Sequence, residues 1–213
     1  TNDRADEDGD NRNSQGDATQ KRRTAVALCE HVLKYRPNDV ILLLLLSEAQ
    51  YDLEQFESAL SAARVATQTL ELLKSLELRH RHGQDKETDA SNCSVDEDLL
   101  ATLAACGLDD CTPGSKSGLA LQLESLLAES YHQRAAVLWR LGRHDEAIDS
   151  HFLADRCLRV QDSEARVGAG EYTQPKSLSA STAGVAELQD RVIFTLTLAL
   201  WSRGRCQEAA ERW

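Results

Sequence analysis

Three short stretches constrain the fold of this chain more than any other feature: AQYDLEQFESAL at 49–60, LWRLGRHDEAI at 138–148 and ALWSRGRCQEAA at 199–210. Each reads as the end of one helix, a tight turn and the start of a second helix. Each also reaches an alanine eight residues after an aromatic, pairing Tyr51 with Ala59, Trp139 with Ala147 and Trp201 with Ala209. A small residue at that point lets the two helices pack back to back, and Gly142 and Gly204 supply left-handed backbone at low cost. Repetition of such a hairpin predicts an array, and arrays present extended binding surfaces.

The rest of the composition agrees with an all-α chain. With 213 residues it can bury a real core. Its apolar residues are mainly Ala and Leu, and no Val/Ile-rich alternating run stands between turn signals, so strands are not expected. The formal charge of −11 argues against nucleic acid as a partner, because phosphate neutralisation needs surplus Lys and Arg on one face. Cysteines at 29, 93, 106, 111, 157 and 206 form no short-chain disulfide framework, so reduced thiols and an intracellular setting, cytoplasmic or nuclear, are expected. The run from Val40 to Leu46 is far shorter than the roughly 20 residues of a membrane span. The sequence opens on Thr1 and has no methionine, which suggests a piece of a longer protein.

Along the chain, residues 1–16 carry acids and no large apolar side chain, and they read as a disordered acidic tail. Asp17 and Gln20 resemble a capping box that opens a helix to Tyr35, ended by Pro37. Asn38 or Asp39 then caps a Leu-rich helix expected to be buried on several sides. Its partner starts near Gln55 and ends near Leu78, completing a helical region over 17–78. Residues 79–117 read as a low-complexity insert, within which Ser94 and Glu97 predict a short helix at 95–105. A long hairpin at 118–161, a loop at 162–182 and a final truncated hairpin at 183–213 complete the expected organisation.

The register of the three hairpins resembles the tetratricopeptide repeat (TPR) family, a helix-turn-helix unit of about 34 residues. With Ala59, Ala147 and Ala209 at the unit's twentieth position, the units start at Val40, Ala128 and Asp190. The eighth positions then hold small Ser47, Ala135 and Thr197, and Ala66 and Ala154 fall at the twenty-seventh. Glu54, Gly142 and Gly204 occupy the turn, and Ala25 falls at the twentieth position of an incomplete first unit closed by Pro37. The starts lie further apart than one unit, so the array carries inserts. Arg134 replaces the usual Leu, and His144 and Cys206 replace the usual aromatic. The resemblance covers 18–73, 128–161 and 190–213 and implies an all-α, TPR-like α-α superhelix with long irregular inserts.

That resemblance also implies a concave groove lined by the first helix of each unit. Carried over, its positions are Ile41, Leu44, Glu48 and Tyr51; Glu129, His132, Ala136 and Trp139; and Arg191, Phe194, Leu198 and Trp201. From these, Glu48, Tyr51, His132, Trp139, Arg191, Phe194 and Trp201 are the candidate partner-binding residues. The rings of Tyr51, Trp139 and Trp201 either hold a peptide or pack between repeats. Co-chaperones in the family grip a C-terminal carboxylate with Lys and Asn. Leu44, Glu48, Gln133, Arg191 and Thr195 stand in those places, so only Arg191 fits and no carboxylate clamp is expected.

Other constellations carry less. His80, His82, Cys93, Cys106 and Cys111 share the insert region but lack zinc-module spacing, so no metal or other cofactor is expected. Leu123-Glu124-Ser125-Leu126-Leu127 matches an LxxLL string, with packing in a Leu-rich helix the plainer explanation. Asp145 and Glu146 suit a helix N-terminus. No nucleophile elbow, phosphate loop or His-Glu-x-x-His is present, so enzymatic activity is not expected. The reading is a scaffold or adaptor holding a protein or peptide partner within a larger complex. The alternative is a structural subunit whose repeats pack on neighbouring subunits, and a weaker third is a regulatory domain attached to an enzyme.

Overall fold

The computed structural model describes residues 7–84, 101–108, 116–168 and 179–213, which form helices joined by turns, with no strand among the described residues. The helices are α1 (Glu7–Leu33), α2 (Val40–Asp52), α3 (Phe56–Gln84), α4 (residues 101–105), α5 (Lys116–Arg140), α6 (His144–Gly168), α7 (Ser179–Ser202) and α8 (Cys206–Arg212). From α1 to α3 and from α5 to α8 each helix packs on the next, and α3 packs on α5 across the insert. The helices α2, α5 and α7 also touch in series. They therefore stand side by side, with α3, α6 and α8 as their hairpin partners. No helix among the described residues is long and apolar enough to cross a membrane.

The three recurrent stretches fold into the same turn. Gln55, Arg143 and Arg205 each donate a backbone N–H to the carbonyl five residues back, on Gln50, Leu138 and Leu200, at 2.9 Å in every case. One residue earlier, Glu54, Gly142 and Gly204 donate to Tyr51, Trp139 and Trp201 and adopt φ of 59°, 75° and 74°. This is the bonding of a Schellman-type helix end, which needs a left-handed residue. Downstream, Ala59, Ala147 and Ala209 donate to Gln55, Arg143 and Arg205. These alanines are 0–1% exposed, so each marks a close helix crossing. In the first hairpin the crossing is visible as a bond, with Ser47 Oγ donating to the Ala59 carbonyl at 3.0 Å.

The largest core cluster runs from α2 to α7 through Leu43, Leu70, Leu73, Leu127, Leu158 and Val192. The end of the insert belongs to it. Leu103, Cys106 and Leu108 are buried there, and the Cys106 carbonyl accepts from Val40 N at 2.9 Å, so this segment docks on the start of α2. The N-cap of α2 is Asp39, whose Oδ1 accepts from Leu42 N at 3.1 Å. Gly107 completes the joint with φ +76°, and a Cβ there would lie 2.4 Å from Asp39 Oδ1.

Several boundaries differ from the sequence expectation. The backbone of α1 begins at Glu7, inside the stretch expected to be a disordered tail. Asp17 sits within the helix, its carboxylate 2.6 Å from Lys21 Nζ one turn on, an i,i+4 pairing in place of a cap. The helix α3 continues to Gln84 and α7 begins at Ser179, and α6 continues to Gly168 because 161–167 holds neither Pro nor Gly to stop it. One strip of α2 is open, with Ile41 38% and Leu45 49% exposed. Residues 101–105 of the expected 95–105 helix are helical. The capping box at Ser94 and Glu97, Cys93, Cys111 and the centre of the 162–182 loop lie outside the described residues.

Two substitutions test this scheme. Glu54 is the one left-handed turn residue with a side chain among the three, so Glu54→Gly removes a steric cost of about 1–2 kcal/mol against a smaller loss of chain entropy. Urea unfolding is expected to show a net gain of about 0.5–1 kcal/mol. Gly107→Ala is expected to destabilise by about 1–3 kcal/mol, since it combines left-handed strain with displacement of a buried cap.

Candidate functional site

Side chains from α2, α5 and α7 meet in one open cleft with a volume of about 190 Å³. From α2 come Ser47, Glu48 and Tyr51; from α5, Glu129, His132, Gln133, Ala136 and Val137; from α7, Arg191. Spacings of three and four residues put each set on a single helix face. Ala136, the smallest of the lining side chains, leaves space between the long ones. The turn at Glu54 fixes the C-terminal end of α2, and Tyr51 at that end packs edge-on against Phe56, with ring centroids 5.6 Å apart. Arg140 lies over the other partner, its Cζ 5.2 Å from the Phe56 centroid, tying α5 to the same corner.

Burial dominates the electrostatics. It pushes the Glu129 carboxyl above the usual carboxylate range; Arg191 opposes that shift and Glu48 adds to it. His132 is held at about 4 by burial and by the positive charge of Arg191. Behind it His151, 3% exposed, is held at about 3 by burial and by His132, with ring centroids 5.4 Å apart. Both imidazoles are therefore neutral near pH 7. Their Nδ1 atoms and Gln133 Oε1 are buried without a hydrogen-bond partner. Among the described residues the cleft thus offers carboxylate oxygens, unpartnered polar atoms, the Tyr51 face and the Arg191 guanidinium.

Four of the seven candidate residues, Glu48, Tyr51, His132 and Arg191, are brought together here. The other three lie elsewhere. Trp139 is half-buried, its ring 4.3 Å from that of His144, and it fills the junction between two core clusters. Phe194 is 50% and Trp201 69% exposed on α7, and Trp213 approaches Phe194 with centroids 6.4 Å apart. Leu44, a groove position by register, is 5% exposed in the main core. Ser47 and Val137 line the cleft although no groove position pointed to them, and Gln133, named only at a clamp position, lines it too. Each is next in sequence to a residue that the register did place there.

The remaining constellations serve structure. Leu123 and Leu127 of the LxxLL string are 2% and 3% exposed in the core. Asp145 and Glu146 open α6, with Glu146 paired to Arg143 at 2.6 Å. Among the described residues no group of three or more His, Cys, Asp or Glu could hold a metal ion. No family model, no curated protein and no solved structure is significantly similar to the chain.

The histidine pair makes stability depend on pH. Folded values of about 4 and 3 lie below the ordinary 6.5, so between these limits the unfolded chain binds protons that the folded chain refuses. This contribution is complete above pH 6.5 and declines as the pH falls, by up to about 1.4 kcal/mol per pH unit for each histidine. Denaturation series at several pH values are expected to show a flatter acid slope for His151→Gln than for the parent. An identical slope would mean that the pair does not carry the effect.

Proposed function

We propose that the chain is a segment of a TPR-like α-solenoid that acts as a scaffold or adaptor, holding a peptide segment of a protein partner in the cleft between α2, α5 and α7. One observation carries this reading. The repeat register assigned Glu48, Tyr51, His132 and Arg191 to a common groove from three separate helices, and those side chains line one open cleft. Two further features support it: the three hairpins share one turn geometry, and their first helices touch in series, as a stacked array requires. The described part of the insert packs at the start of α2 and leaves the cleft unfilled.

A second reading rests on a different surface. Phe194, Leu198 and Trp201, spaced one helical turn apart on α7, are 50%, 53% and 69% exposed. An apolar stripe of this kind suits a structural subunit that packs on a neighbour in a larger assembly.

Selection of binding peptides from a random display library on the immobilised protein separates the two. The cleft reading expects selected peptides whose affinity falls at least about tenfold, or about 1.4 kcal/mol, for Glu48→Arg and for Ala136→Trp. Melting temperature should stay close to the parent for both, and Trp201→Ala should bind as the parent does. Peptides that lose affinity only for Trp201→Ala would favour the structural-subunit reading.

A further inference from the structure

The cleft carries more acid than base, with Glu48 and Glu129 against Arg191. Glu48 and Glu129 only accept hydrogen bonds when ionised, Gln133 Oε1 is a buried acceptor without a partner, and a neutral imidazole has one acceptor nitrogen. Counting Glu48 and Glu129 against Arg191 leaves one uncompensated negative charge if both carboxylates are ionised. Burial is the main cause of the raised Glu129 carboxyl; Arg191 opposes it only in part and Glu48 adds to it. An additional cation would offset the uncompensated charge, whereas a carboxylate ligand would meet two like charges to reach one guanidinium.

Shape and chemistry narrow the class further. The acceptors are spread over two helices rather than gathered at a point, and the half-buried Tyr51 ring stands beside them. A point charge such as ammonium satisfies one such group well. A planar guanidinium offers five donors in a fixed fork, stacks on aromatic faces and is more weakly hydrated, so it loses less on entering a partly buried cleft.

Resting on the cleft reading above, we infer that this site is a pocket for one arginine side chain of the partner polypeptide, with the guanidinium between Glu48 and Glu129 and against Tyr51. Arg191 then serves a selecting role. It neutralises one carboxylate, so that a single bound cation balances the site, and its charge adds to burial in keeping His132 unprotonated and therefore able to accept. This occupant differs in sign from the C-terminal carboxylate that a Lys/Asn clamp would take.

The test titrates isotope-labelled protein with N-acetyl-arginine N-methylamide, the lysine analogue and the uncharged citrulline analogue, followed by amide NMR shifts. The arginine probe is expected to shift amides around Glu48, Glu129 and Gln133, to bind at least severalfold more tightly than the lysine probe, and to weaken as salt is added. Glu129→Gln should weaken it about tenfold, and the more exposed Glu48→Gln supplies the same readout should the first variant unfold. Citrulline binding as tightly as arginine, lysine binding equally well, or shifts confined to another surface would overturn the inference. Among peptides selected from the library, cleft-dependent binders that tolerate replacement of every arginine would sink the arginine pocket alone. An absence of any cleft-dependent binder would sink the peptide-groove reading with it.

Discussion

Everything in this fold depends on a backbone constraint of a few residues, the left-handed residue that ends one helix and the alanine that starts the next. The left-handed residue lets the chain reverse within one turn while the last carbonyls of the first helix still find donors on the following residues. The alanine then decides how close the returning helix comes. At 0–1% exposure Ala59, Ala147 and Ala209 leave no room for a larger side chain, so each crossing is tight. Because the same constraint acts three times, the helices preceding the turns are set to one side and their partners to the other.

Between hairpins the adhesion is partly polar, and its placement is selective. Thr67 donates to Ser130 at 3.3 Å, Tyr131 donates to Glu71, and Lys74 pairs with Glu124 at 2.5 Å, all across the joint between α3 and α5. Burial, with the Glu124 carboxylate nearby, pushes the Cys157 thiol up to about 12, leaving it inert near neutrality. At the other end Asp155, 3% exposed, receives both Arg159 and Arg212, which ties α8 to α6. Phe152 lies beneath Arg205 and Arg212 at the same place. Ion pairs of this kind add modest net stability, yet they penalise any slipped register, because a shifted helix would strand a buried charge.

How much of this was legible in the sequence divides along the range of each interaction. The turn was legible because its requirements are local: a left-handed residue, a preceding helix end and an alanine at fixed distance. The cleft's Glu48, Tyr51, His132 and Arg191 followed from the same register. Trp139 did not, because its position is set by His144 across the turn, and its ring takes the space that a small residue there would have left. Leu44 was misplaced for a different reason: α2 is apolar around most of its circumference, so the pattern does not mark its open side, and the neighbouring helices cover Leu44 while Ile41 and Leu45 stay exposed. For 101–108 the helix and its core-facing Leu103 and Cys106 were legible, but the place where it docks was not. That place is set by a backbone bond from Val40 to Cys106 and by the absence of a Cβ at Gly107, neither of which leaves a periodic trace.

The same helix that builds the cleft also exposes the apolar stripe, and the two surfaces differ in kind. On α7, Arg191 turns toward α2 and α5, whereas Phe194, Leu198 and Trp201 remain open to solvent along the helix. The cleft is small, polar and only partly desolvated, so affinity there must come from matching charge and donors, and a few misplaced groups would be costly. The stripe is apolar and lacks comparable polar detail, so contact there is governed by buried area and tolerates many partners. Under the proposed scaffold reading, selectivity would reside in the cleft between α2, α5 and α7, and the stripe would add contact area without setting the identity of what is bound.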